Sequence, residues 1–157
     1  MGRHPRCRVR RARQLTAVDT NILVYAHRED SEWHTAALRA LTDLAESGAP
    51  WGIPWSCVHE FLSITTHPRI YLPPTPTPIA LDAIEQWLNL PGCRTLAEGP
   101  AYFPRLRELA EKGRIGGPAI HDARIAAICL HHGARVLWTA DRDFSRFPEL
   151  RCENPLC

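Results

Sequence analysis

One alternation limits what this chain can fold into more than any other feature. Five short segments with extended-type patterning, residues 15–18, 51–54, 93–96, 135–139 and 150–152, are separated by stretches whose apolar residues recur at helical spacing. Strands separated by helices cannot pair through tight hairpins. They pair through crossovers, which makes the sheet parallel and covers both its faces with helices. The helical stretches carry their own punctuation. Ser31 stands as an N-cap before the stripe of Trp33, Ala37, Leu41 and Leu44, which stops at Gly48. A short helix over residues 22–26 precedes it. His67-Pro68 ends a helix begun at Ser56, and Thr77 caps another that has Pro78 at its first position. Gly113 and Gly133 stop the last two helices, over residues 102–113 and 119–132. Pro73, Pro74, Pro76 and Pro78 make an extended connector and not a domain boundary, because the helical pattern resumes at once.

A chain of 157 residues can bury a core as one domain without staples. No apolar run approaches the roughly 20 residues of a membrane helix, which excludes a spanning protein. The formal net charge of +2 hides a split. Residues 1–13 hold six of the 19 basic residues and none of the 17 acids, so the remainder carries 13 bases against 17 acids, a net charge of −4. Residues 1–14 therefore read as a basic, disordered tail and residues 15–157 as the folded domain. The arginines are followed by Thr16, Asp19, Thr20 and Asn21, which leaves no uninterrupted apolar stretch of a secretory signal. The expected compartment is the cytoplasm. None of the six cysteines forms a C-x-x-C pair, and Cys57 and Cys129 fall in apolar helical stripes, as small buried hydrophobes do.

The acids of the body point to chemistry. In open α/β sheets the site lies at the carboxyl ends of the strands. Asp19 ends the first strand, and Asp141 ends the fourth with Asp143 two residues on. Glu60 shares a helical stripe with Cys57, Phe61 and Ile64, and Asp122 shares one with Ile125, Ala126 and Cys129. Carboxylates on apolar faces are expected to be buried, which is costly unless they are paired or bind a cation. Taken singly, each has a plain alternative. Asp19 can cap a helix, Glu60 can be a paired structural acid, Asp122 can pair with His121 or Arg124, and Asp141 and Asp143 can be turn residues. Taken together, converging carboxylates repel unless a hard divalent cation sits among them. Mg²⁺, or Mn²⁺ with the same ligands, would bring a phosphodiester to the site and activate water for in-line attack.

Four blocks resemble the PIN-domain nucleases. They are residues 18–26 (Val-Asp-Thr-Asn-Ile-Leu-Val-Tyr-Ala), Ser56 with His59-Glu60-Phe61-Leu62, the run from His121-Asp122 to Ile128, and residues 137–144 (Leu-Trp-Thr-Ala-Asp-Arg-Asp-Phe). Their order and spacing fit over about residues 15–155, and the small size is similar to that of VapC-type toxins of bacterial toxin–antitoxin pairs. The resemblance implies a PIN-like three-layer α/β/α fold with a parallel sheet of about five strands. It implies a Mg²⁺- or Mn²⁺-dependent endoribonuclease that leaves 5′-phosphate and 3′-hydroxyl ends. It assigns Asp19, Glu60, Asp122 and Asp141 to the catalytic, metal-holding quartet and Asp143 to a further metal ligand or its support. Asn21 and Thr139 match positions that order the carboxylates. A homodimer and a small antitoxin partner are implied too. The proline run of 73–78 matches no family motif.

An acidic site needs basic surroundings to attract RNA. Arg105, Arg107, Lys112 and Arg114 on and after the fifth helix, with Arg142 and Arg146 beside the fourth block, are the candidates, against the plainer reading of solvated helix faces. The arginine tail is an RNA-attracting arm, a partner-binding segment, or a mis-called start with Val9 or Leu15 as the true first residue; family members begin just before the first block. Within the enzymes, a housekeeping RNA-processing PIN nuclease is the alternative to a toxin, and a non-catalytic RNA-binding PIN module is a further one. Other strand-end-acid folds fail on residues. A haloacid-dehalogenase-type phosphatase needs D-x-D where Asn21 stands. A response-regulator receiver needs a lysine after a late strand, and the sole lysine is Lys112. A dinucleotide site needs a glycine motif after the first strand, which is absent.

Overall fold

A computed structural model describes residues 14–157. The reading of residues 1–14 as a tail therefore lies outside the described residues, save for Gln14, which is exposed. The chain runs β1 (Thr16–Val18), α1 (Thr20–His27), α2 (His34–Glu46), β2 (Trp51–Pro54), α3 (Trp55–Thr65), α4 (Thr77–Leu88), β3 (Cys93–Leu96), α5 (Tyr102–Gly113), α6 (Ile120–His131), β4 (Val136–Trp138) and β5 (Arg151–Glu153). Short 3₁₀ turns at Gly117–Ala119 and Arg142–Arg146 precede α6 and follow β4.

All five strands are parallel, in the order β3-β2-β1-β4-β5. The chain moves outward from β1 to β3, then crosses back to β4 on the other side of β1. The strand order therefore reverses between β1 and β4, which are direct neighbours with Val18 beside Trp138. Right-handed crossovers send the helices of the outward and returning halves to opposite faces. The packing follows that division: α1 lies against α2 and α3, α3 against α4, and α5 against α6.

The sheet's middle is dry. Ala17, Val18, Trp51, Ile53 and Leu137 are fully or almost fully buried, and α6 buries Ala123 and the whole run from Ile125 to Leu130. That helix is apolar nearly all round because the sheet covers one side and α5 another. Phe61 of α3 meets Trp87 of α4 edge to face with ring centroids 5.2 Å apart, an arrangement that lets positive ring edge meet negative ring face. Gly52 is needed where β2 approaches β3, since a Cβ there would come within 2.9 Å of the Leu96 side chain.

Local punctuation differs from the expected in three places. α1 begins at Thr20, two residues early, because Asp19 accepts the Thr20 N–H at 2.7 Å and so caps it. Ser31 does not cap α2; its hydroxyl accepts the Trp33 N–H at 3.1 Å and closes a turn ahead of a helix that starts at His34. Thr77 is the first residue of α4 and not its cap, which is Pro76. At the other ends, Gly48 and Gly133 take the left-handed conformation after α2 and α6, with φ of 68° and 75°. Gly113 remains inside α5, and Arg114 makes the left-handed turn instead, at φ 49°.

The proline connector is tied down. Thr75 is buried, donates its N–H to the Thr65 carbonyl at 2.8 Å, and shares its hydroxyl with His27 and Arg28. The five described cysteines are free thiols, with Cys57 and Cys129 buried as expected. Among the described residues no helix is long and apolar enough to cross a membrane.

Candidate active site

Asp19, Glu60, Asp122 and Asp141 come from α1's cap, α3, α6 and the end of β4, and all four line one cleft of about 240 Å³. The adjacency of β1 and β4 does this. Strands in register deliver Asp19 and Thr139 side by side although they are 120 residues apart. Thr20 and Asn21, the apolar Val24, Ile64, Ile125 and Phe144, and two tyrosines, Tyr25 and Tyr71, form the rest of the wall. A second cleft, of about 420 Å³, shares Glu60, Asp122 and Ile125 with the first and is also lined by Ser56, His121 and Arg124. The carboxylates thus stand between two connected depressions.

Asp19 is the scaffolded member. It is 4% exposed. Its Oδ2 accepts the Thr139 hydroxyl at 2.7 Å and the Asn21 amide at 3.4 Å, while its Oδ1 accepts the Thr20 N–H at 2.7 Å and the Cys57 thiol at 3.6 Å. Burial raises its pKa from 3.8 to about 6, and nearby Glu60 adds to the rise, against the lowering by the Thr139 and Thr20 hydrogen bonds. Asn21 and Thr139 hydrogen-bond both to Asp19 and to the start of the segment that carries Asp141. Asn21 donates to the Thr139 hydroxyl at 3.2 Å and accepts the Ala140 N–H at 3.1 Å, and the Thr139 hydroxyl oxygen accepts the Asp141 N–H at 3.0 Å. One side chain thereby fixes both the first acid and the backbone that carries Asp141.

Asp122, Asp141 and Asp143 form a second, tighter group. Each presents a carboxylate oxygen, and these oxygens lie within 4.8 Å of one another. Partial burial raises the pKa of Asp122 first, then repulsion from Asp141 and Asp143, against the attraction of Arg146. Such a donor set, all oxygen and all acidic, fits a hard divalent cation and not a soft one. Asp143 stands at the rim. Its backbone N–H is accepted by Asp141 Oδ1 at 2.8 Å, and its carboxylate faces Arg146 at 3.8 Å.

Two expectations about the acids need correction. Glu60 is exposed and Asp122 only half-buried, so neither is a core carboxylate. Neighbours along a helix are about 100° apart. Cys57 and Phe61 turn inward, and Glu60 turns to the cleft, where the Thr20 hydroxyl donates to it at 3.1 Å. The buried acid is the strand-end Asp19. Of the expected basic surround, Arg105, Arg107, Arg114 and Arg142 line neither cleft. Arg105 is held by Glu108 and Glu149, Lys112 by Glu108, and Arg107 lies over the Phe103 ring. Arg124, which the sequence offered only as a partner for Asp122, lines the second cleft and pairs with Glu98 at 2.7 Å. Tyr25, Tyr71 and His121 were not singled out as site residues. Tyr25 sits inside the first block, and its place there was the available signal. Tyr71, next to the prolines, had none.

A family model described as the PIN domain matches residues 16–150. The chain belongs to the PIN-domain family. Ribonuclease VapC43 of Mycobacterium tuberculosis is 36% identical over 142 residues, covering 90% of this chain and 96% of that protein. Ribonuclease VapC48 of the same organism is 30% identical, covering 87% and 94%. Among solved structures, VapBC2 from Rickettsia felis bound to a DNA fragment from its promoter superimposes with a TM-score of 0.64 at 21% identity, covering 90% of this chain and 98% of that one. VapC20 of Mycobacterium tuberculosis, a toxin that cleaves the sarcin–ricin loop, gives 0.61 at 15% identity, covering 83% and 92%. This PIN domain, a five-stranded three-layer α/β/α fold, is thus similar to VapC proteins in both sequence and fold.

Proposed function

We propose that this PIN domain is a divalent-metal-dependent endoribonuclease and the toxin of a toxin–antitoxin pair. The observation that carries the reading is the convergence of Asp19, Glu60, Asp122 and Asp141, from four separate elements, on one cleft at the carboxyl ends of β1 and β4. The kinship with VapC ribonucleases supports RNA as the substrate and favours a toxin over a housekeeping RNA-processing enzyme.

Asp122, Asp141 and Asp143 would hold the cation, with Asp19 and Glu60 completing its surroundings. Mg²⁺ is the proposed ion and Mn²⁺ its substitute. Bound there, the ion supplies Lewis-acid activation of water and offsets the charge of the phosphodiester. The protein's own part is positional. Thr139 and Asn21 fix the Asp19 carboxylate, so no reorganisation is needed when substrate arrives. Asp19 and Glu60 add negative charge beside the cation's ligands, with Glu60 oriented by the Thr20 hydroxyl. The connected second cleft gives a strand passing over the carboxylates a way out past Arg124.

The same kinship supports a small antitoxin as partner, and a second copy of the chain and a cytoplasmic setting complete the proposal. Purified protein is expected to cut total RNA with Mg²⁺ and not with EDTA, leaving 5′-phosphate ends. Cleavage undiminished in EDTA would refute the metal reading. A fully active Asp19→Asn protein would remove Asp19 from the mechanism.

A further inference from the structure

We propose that Tyr71 is a stacking platform for the nucleobase beside the scissile phosphate, so that the cleft selects an unpaired nucleotide. The inference rests on the ribonuclease reading above and names how that site grips its substrate.

Tyr71 shares the cleft with the four carboxylates. Its ring is half-buried, and one face is taken by the Arg28 guanidinium, 4.2 Å from the ring centroid. That guanidinium is fixed along its edges. Asp30 accepts from Nε at 2.9 Å and from Nη2 at 2.6 Å, while the Pro73 carbonyl and the Thr75 hydroxyl accept from Nη1 at 3.1 and 3.3 Å. The Arg28 side chain is 12% exposed. A cation so bound at its rim and seated over the ring holds the ring in place, and Tyr71 forms part of the cleft's wall. Arg28 also ties the proline connector to the end of α1, so the segment carrying Tyr71 is braced from both sides.

A braced aromatic ring in the wall of a cleft that holds four carboxylates has an evident ligand. Single-stranded nucleic acids bind by backbone contacts together with stacking of bases on aromatic side chains, and stacking tolerates any base because every base has a π-face. A paired base inside a duplex has no free face to offer. The cation behind the ring strengthens the platform for a polarisable base in front of it. Tyr71 therefore works as a positioning residue: it places the nucleotide, and the acids act on the adjacent phosphate.

The test uses the full chain and a short single-stranded RNA with one mapped cleavage site. Binding is measured with Ca²⁺ in place of Mg²⁺, and cleavage with Mg²⁺. Tyr71→Ala and Tyr71→Leu, the latter still packing against Arg28, are expected to bind about 5- to 150-fold more weakly, the range for losing one base stack, with kcat unchanged. Tyr71→Phe and Tyr71→Trp are expected to bind as wild type does. An RNA with one abasic position beside the scissile phosphate should bind wild type as weakly as intact RNA binds Tyr71→Ala, and Tyr71→Ala should lose nothing further on it. Equal losses on intact and abasic RNA would make Tyr71 structural and overturn the proposal. So would unchanged RNA binding, including the case in which Tyr71→Ala alters only neutralisation by a protein partner. A wild type that shows the Tyr71-dependent binding and cuts nothing would uphold the platform and refute the nuclease reading.

Discussion

The two halves of the acidic cleft are built on opposite principles. Asp19 is 4% exposed and accepts four hydrogen bonds from Thr20, Asn21, Cys57 and Thr139. Asp143 has a side chain that is 59% exposed, and it stands among like charges with a distant arginine. The protein has already ordered the first half and has paid in desolvation to do it. The second half is a set of clustered carboxylates, the donor set of the proposed cation. In that reading the first half supplies geometry and the second supplies affinity.

The largest test of that division is Asp19→Asn. Cleavage is expected to fall by at least about 100-fold, beyond the roughly 10- to 100-fold typical of residues that act behind a metal's own ligands. The pH dependence of stability should change as well. A carboxyl whose pKa rises on folding from 3.8 to about 6 contributes stability below pH 4 and loses it as pH rises through 6. The metal-free wild type should therefore lose about 2 kcal/mol from this group between pH 4 and pH 8, and Asp19→Asn should lack that pH dependence. Urea unfolding of both proteins at the two pH values, in EDTA, measures this. Equal pH dependence in the two would show that Asp19 is not the strained group.

Thr139→Val comes next, with activity down about 10- to 100-fold, because the hydroxyl orders Asp19 and the backbone of Asp141 together. Its signature is a loss in kcat with little change in RNA affinity. Asp143→Asn should weaken divalent-ion binding by about tenfold, at the lower end for a site residue, and leave the metal-free protein no less stable, since it relieves repulsion. Isothermal titration with Mn²⁺ measures it, and a destabilised metal-free variant would contradict the picture of unrelieved charge. Arg105→Ala is the smallest. Its two carboxylate partners make it a surface ion pair, so RNA cleavage should change less than about fivefold. A larger loss would bring the α5 arginines back to the RNA path.

Much of the fold was legible in one dimension. β2 and β3 begin and end where the apolar runs do, and β1, β4 and β5 differ by a residue or two. Helix starts were harder. Asp19 reads in the sequence both as a cap and as a candidate site residue, and the structure has it capping α1 while lining the cleft. Burial of the acids was misread for a physical reason. A helical stripe tells which side of α3 or α6 faces the interior, and Glu60 and Asp122 sit at its edge, where the cleft begins. Arg28 and Tyr71 carried no signal. Their meeting depends on how the chain between α3 and α4 returns across the end of α1, which no local pattern encodes.

The sequence by itself determined the parallel α/β architecture and picked out the acids that line one cleft, with the Asn21 and Thr139 that hydrogen-bond around Asp19. These rest on periodicity, punctuation and the carboxyl ends of strands, all of them local. Tertiary structure alone decided that Asp19 is the buried acid and that Asp122, Asp141 and Asp143 form the tight group. It also decided that Arg124 and Tyr71, and not the arginines of α5, border the clefts. Those outcomes depend on desolvation and on distances between groups remote in the chain. Both are fixed only when β4 docks beside β1 and the helices close over the sheet.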